Sequence, residues 1–164
     1  MTKRWASLTP NEFRFTAKFP RLITHEKSFL LSLIKNFTIS LMSRAPLRGK
    51  VLALLLQLPP SLTAKEGVKK LQALIHMLDS DFGYAIEVRH KSWFDKGIYK
   101  LLPNNNICLA WSYLDTIQTP HEQTSDFLYL RFIGDRSIDQ KDFGMIQKDR
   151  FKELKMRSDE AVHY

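Results

Sequence analysis

Phe13, Phe15, Ala17 and Phe19 alternate with Arg14, Thr16 and Lys18. That period of two predicts a strand with one buried face, ended by Pro20. Val51 to Leu58 is almost wholly apolar, with Gln57 as its one polar residue. Such a run predicts a strand covered on both faces, as in a parallel sheet. Pro59-Pro60 stops it. A third strand is predicted over Gly83 to Arg89, with Ile86 and Val88 facing one way and Ala85, Glu87 and Arg89 the other. A fourth runs from Ile107 to Ser112. A fifth runs from Phe127 to Ile133, with Tyr129 and Arg131 sharing a face.

Between the strands the period changes. Phe29, Leu33, Phe37 and Leu41 form a stripe spaced by four, predicting a helix to about Met42 with Thr24 as its N-cap. Val68, Leu71, Leu74, Ile75 and Leu78 predict a second helix, opened by a Thr63–Glu66 capping box. Asp95 caps a short helix carrying Ile98, Tyr99 and Leu102. Tyr113 to Asp126 reads as a long loop. A polar helix follows from about Lys141, with Phe151, Leu154 and Met156 as a thin apolar face. Met1 to Leu8 reads as the tail of a helix. This alternation points to right-handed βαβ units and an α/β fold with a parallel sheet.

The 164 residues suffice for one domain with a core, and 44% of them are hydrophobic. The longest apolar run, Val51 to Leu56, is far too short to span a bilayer, and Met1 to Lys18 lacks the apolar stretch of a signal peptide. No membrane partner is expected. The single cysteine, Cys108, allows no internal disulfide, so a reduced, cytoplasmic setting is the expectation. The formal net charge of +8 fits nucleic acid, an anionic membrane surface, phosphorylated ligands, or simply solvated helix faces. No basic run exceeds two residues, and no aromatic-basic interleaving resembles a nucleic-acid platform.

Polar residues concentrate where strands end. Lys18, Gln57, Glu87 with Arg89, Trp111 with Ser112, and Arg131 all fall at or near strand carboxyl ends, the rim where parallel α/β folds assemble sites. Burying a charge costs several kcal/mol unless it is paired. Glu87 and Arg89 therefore pair with each other, pair with neighbours, or face a wet cavity. The structural alternative to a site is a buried ion network. His25, in the loop after the first strand, and His90, directly after Arg89, are further acid–base candidates. Trp93 could wall a pocket. His25, Glu87 and His90 could build a metal site, but no close HxH or HExxH spacing supports one, so no metal is assigned. There is no Gly-rich phosphate loop and no GxSxG elbow, and Cys108 sits mid-strand.

The segments FRFTAKFPRLITHEK, LLLQLPPSL, YAIEVRHKSWFD and TSDFLYLRFIGDR, followed by FG and QKDR, resemble the domain of unknown function 72 family, also called YecE-like proteins. The resemblance covers nearly the whole chain. It implies a TIM-barrel-like parallel (β/α) fold but no established activity or cofactor. It carries over Lys18, His25, Gln57, Glu87, Arg89, His90, Trp93 and Arg131. Three segments of the family pattern are missing: TSGWSY-like and EINSSFY-like ones at the start and a YFNN-like one at the end. The expectation is a single partial domain over 1–164 with about five of eight strands. It would be a fragment, a shortened product, or a chain that covers its open sheet edges by oligomerisation. The expected function is a barrel protein binding a small phosphorylated or carboxylated anion at the strand rim. Glu87, His90 and His25 would be catalytic, and Lys18, Gln57, Arg89, Trp93 and Arg131 would hold substrate. The alternatives are a basic nucleic-acid-binding protein or a non-catalytic fragment.

Overall fold

In the computed structural model, residues 7–21, 49–114, 116–134, 144–146 and 149–163 are described. Elements are numbered among these residues. The apolar run forms β2 (Val51–Gln57), and it is the axis of the sheet. On one side lies β1 (Phe15–Lys18), parallel, with Lys18 opposite Leu55. On the other lies β3 (Gly83–Glu87), also parallel, with Gln57 opposite Glu87. β4 (Ile107–Leu109) continues the ladder, with Ala85 opposite Cys108. β5 (Trp111–Tyr113) pairs in parallel with β6 (Leu130–Phe132), with Ser112 opposite Arg131.

The strand expected over Ile107 to Ser112 is thus two strands that change partners at Ala110. The Ala110 N–H donates to the Ile86 carbonyl at 2.9 Å, and the next N–H, of Trp111, donates to Tyr129 O at 2.9 Å. A single stretch of chain joins two parallel ladders in this way. Two other strands are shorter than their patterns suggested. β1 starts at Phe15 because Phe13 lies 46% exposed before the ladder begins. β6 holds three residues of the seven expected.

Side-chain parity separates two apolar clusters. Leu54, Leu56, Tyr84, Ile86, Ile107 and Leu109 pack with Leu71, Leu74 and Ile75 of α1 (Ala64–Ile75) in the main core. Burying each Leu or Ile contributes about 2 kcal/mol. On the opposite face Leu55, Ala85, Cys108 and Ala110 form a smaller cluster with Phe127 and Tyr129. Burial also pushes the Cys108 thiol above its ordinary pKa.

α1 begins as its sequence predicts. Thr63 and Glu66 make both halves of the capping box, and the Glu66 carboxyl is lowered by the hydrogen bonds from Thr63. After β3 come a 3-10 turn over Lys91–Trp93, α2 (Lys96–Leu101) and another 3-10 turn over Pro103–Asn105. Asp95 accepts from the Gly97 N–H at 2.7 Å at the start of α2. Asn106 takes φ 50°, the left-handed conformation that Asn tolerates better than most side chains.

The segment after β5 contains no helix among its described residues, as expected, but it is not a surface loop throughout. Ile117, Thr119 and Thr124 are buried. The Thr124 hydroxyl accepts from Leu109 N at 2.6 Å and donates to Ile107 O at 2.7 Å, acting as a strand neighbour for β4. α3 (Phe151–Ala161) closes the described chain. Its Phe151, Leu154 and Met156 were expected to face inward, but they are exposed. Arg157 and Glu160 turn towards the body instead, Arg157 bonding the Tyr113 hydroxyl and lying 5.5 Å over its ring. The helix predicted from Thr24 to Met42 and most of Met1 to Leu8 lie outside the described residues, although Ser7 and Leu8 are helical.

Candidate functional site

The face opposite α1 carries the polar strand ends, and pairing register sets their heights. Ala85 lies beside Cys108. Two residues on, Glu87 lies beside Gln57. Arg89 follows on the same parity just past the end of β3, and on the second sheet Ser112 lies opposite Arg131. Small apolar side chains (Ala85, Cys108 and Ala110) thus underlie a tier of charge.

Glu87 is the centre of that tier. Its side chain is fully buried, and each carboxylate oxygen holds a different guanidinium. Arg89 Nε donates to Oε1 at 2.7 Å, and Arg131 Nη1 donates to Oε2. Two of the three outcomes expected for Glu87 and Arg89 therefore occur together: they pair with each other and with a neighbour. The arginines are less deeply placed, with side chains 11% and 24% exposed. Lys18 Nζ donates to Gln57 Oε1 at 3.3 Å, linking the ends of β1 and β2. Tyr129 OH donates to Thr16 Oγ1 at 3.4 Å and ties β6 to β1.

Two donors in this tier have no hydrogen-bond partner among the described residues. They are Arg89 Nη2 and the Ser112 hydroxyl. Ser112 is 1% exposed. The sequence placed Ser112 at a strand end but gave it no role. The signal that could have assigned one was its parity with Cys108 and Ala110 on the small-residue face.

Lys18, Gln57, Glu87, Arg89 and Arg131 come together as expected; His90 and Trp93 do not. Glu87 and Arg89 share one parity, so His90 falls on the other. Its Nδ1 bonds the Ser92 hydroxyl at 2.8 Å and accepts from Ser92 N at 3.2 Å, capping the 3-10 turn. That hydroxyl also accepts from Ala64 N at 2.8 Å, so His90 serves the start of α1. Trp93 is fully buried in the main core, with its indole N–H donating to Leu62 O at 2.8 Å. Its expected role as a pocket wall is replaced by a packing role, because the turn after β3 folds it beneath α1. His25 lies outside the described residues. No group of three metal-ligating side chains occurs among the described residues. No described helix is long and apolar enough to cross a membrane.

A cavity of about 620 Å³ opens at the other end of the strands. Leu52, Gly83, Ile107 and Phe127 line it together with Asp79, Asp81 and Asp126. Its carboxylates do not suit an anion, and it is remote from the arginine tier.

Comparison with known proteins follows the same lines. A family model described as "Protein of unknown function DUF72" matches residues 1–161. The UPF0759 protein YecE of Escherichia coli strain K12 is 38% identical over 99 residues, a match covering 57% of this chain and 34% of that protein. The chain thus spans about a third of that curated relative's length. Among solved structures, a DUF72 family protein of Enterococcus faecalis V583 superposes with a TM-score of 0.71 at 24% identity, covering 95% of this chain and 68% of the other. One from Thermotoga maritima MSB8 gives 0.70 at 23% identity, covering 98% and 65%. These two likenesses concern the fold.

Proposed function

The chain belongs to the DUF72 family, and on that premise we propose that it binds a small phosphorylated or carboxylated anion at the carboxyl ends of its strands, within a TIM-barrel-like sheet. The observation that carries this reading is the pairing of Glu87. One buried carboxylate orients two arginines, and Arg89 keeps a buried N–H without a partner among the described residues. Guanidinium groups held in fixed orientation are suited to oxyanions. A purely structural ion network would be expected to satisfy its buried donors.

Glu87 acts here as a positioning residue. Both of its oxygens already accept from guanidinium N–H groups, which leaves it poorly placed to carry a proton for a substrate. Lys18 and Gln57 extend the rim towards β1. The barrel reading is supported by the parallel strands, by their sequential neighbours, and by the Tyr129–Thr16 bond between the last described strand and the first. An enzyme built on such a rim would draw its reacting groups from strand ends and loops.

The test is a thermal-shift screen of small phosphorylated and carboxylated metabolites on the intact chain. A bound anion raises the melting temperature, and the rise grows with the logarithm of its concentration above Kd. Arg131→Gln should abolish the shift. If no anion shifts the melting temperature of either protein, the reading fails.

A further inference from the structure

We propose that the ligand of this rim is a doubly charged oxyanion of the phosphate monoester class, with the Ser112 hydroxyl as one of its direct donors. The inference rests on the anion-binding reading above and narrows it. Its first ground is charge. The described side chains of the tier bring three cations, Lys18, Arg89 and Arg131, against one carboxylate, Glu87. The surplus is two positive charges. A carboxylate ligand cancels one of them; a phosphate monoester above its second ionisation cancels both. Charge that is partly withdrawn from water favours the ligand that neutralises it fully.

The second ground is the pair of unsatisfied donors. Arg89 directs Nε at Glu87 while its Nη2 is buried without a described partner, and the Ser112 hydroxyl is in the same condition. Ser112 lies opposite Arg131 on the neighbouring strand, and Arg131 and Arg89 hold the two oxygens of the same Glu87 carboxylate, which links the two groups through one ion cluster. Leaving a buried donor unmade is costly, and two such groups belonging to one ion cluster are explained by an acceptor that the ligand brings. A guanidinium offers no acceptor, so the Ser112 O–H beside Arg131 is left for an acceptor that the ligand brings. An acceptor taking bonds from a guanidinium on one side and a hydroxyl on the other must present oxygens in more than one direction. The tetrahedral phosphoryl group does so; a planar carboxylate does so less well.

The experiment is calorimetric titration of the intact protein with three probes: methyl phosphate, dimethyl phosphate and acetate. Methyl phosphate is a dianion at about pH 7.5 and a monoanion at about pH 5. Dimethyl phosphate keeps the same phosphorus geometry with a single charge. The expected result is that methyl phosphate binds about tenfold or more tightly than either monoanion at the higher pH, and that this advantage disappears at the lower. Ser112→Ala should weaken methyl phosphate by about tenfold and leave acetate nearly unchanged. Equal binding of the monoester, the diester and acetate would overturn the dianion assignment while leaving the anion site standing. An unchanged affinity in Ser112→Ala, with its near-ultraviolet circular dichroism intact, would overturn the role of the hydroxyl. Failure of all three probes, with Arg131→Gln equally indifferent to the wider metabolite screen, would remove both readings. The comparison of monoester with diester needs no variant, so a poorly folding mutant does not weaken the test.

Discussion

Glu87 shows how one buried residue can fix the position of its neighbours. Alternation puts it on the face opposite α1, and burial there requires compensation. Two guanidinium groups supply it. Removing the charge leaves two arginines facing one another. Glu87→Gln is therefore expected to destabilise the protein by about 3 kcal/mol, the low end for breaking a buried pair, because Arg131 is a quarter exposed and water screens part of the loss. Urea denaturation followed by tryptophan fluorescence would measure this. A loss below about 0.5 kcal/mol, the scale of an exposed ion pair, would show that the carboxylate is not the electrostatic centre of the tier.

Among the elements, α1 is fixed by its neighbours as much as by its own sequence. A Cβ added at Gly67 would sit 2.6 Å from Trp93 Cζ2 and 3.1 Å from Leu62 Cδ2. The indole cannot easily withdraw, because its N–H is bonded to Leu62 O. Gly67→Ala would gain about 1 kcal/mol in helix propensity but lose about 1–3 kcal/mol to overpacking. A net fall in the urea midpoint is expected, and a rise would show that the turn carrying Trp93 yields. α3 is held differently, through Arg157 on Tyr113 and through Glu160 at 3.6 Å from His121, which itself bonds the Tyr113 hydroxyl at 3.2 Å. The Arg157 hydrogen bond holds the Glu160 carboxyl below its ordinary pKa. A lowered carboxyl contributes stability that is present above its unfolded value and lost as pH falls through the folded one. Hydrogen exchange in α3 should therefore quicken as pH drops below the usual carboxylate range, relative to the core strands after correction for intrinsic rates. Unchanged relative protection down to a pH of about 2, well below the ordinary carboxylate range, would argue that the Glu160 carboxylate does not help to hold the helix.

At the scale of the whole molecule, what was legible in the sequence followed from periodicity. The alternation of Phe15 to Lys18, the apolar run of β2 and the Glu87–Arg89 parity each depend on a strand's own pattern, and each gave the right face. The polar rim was readable for the same reason, since its members sit at or near the ends of the strands that the pattern predicts. The capping residues Thr63 and Asp95 were equally local. What escaped depended on where the chain goes next. The change of partners at Ala110 is set by the meeting of two ladders, which the uniform apolar run from Ile107 does not mark. The burial of Trp93 and the capping role of His90 follow from how one turn folds under α1. The exposure of Phe151 and Leu154 follows from the polar anchoring of α3.

The ion pair between Glu87 and Arg131 spans 44 residues, whereas β1 pairs with β2, β2 with β3 and β3 with β4, each the strand next in sequence among those described. Neighbouring strands can associate as soon as their connection closes, but Arg131 can reach Glu87 only after the second ladder has docked. Its contribution should thus arise on the native side of the folding barrier. Arg131→Gln is expected to accelerate unfolding while leaving the refolding rate within about twofold. Stopped-flow chevrons would read this directly, and slowed refolding would place the guanidinium in the nucleus. The residue that completes the charge tier would then also govern how long the native state lasts, separately from how quickly it forms.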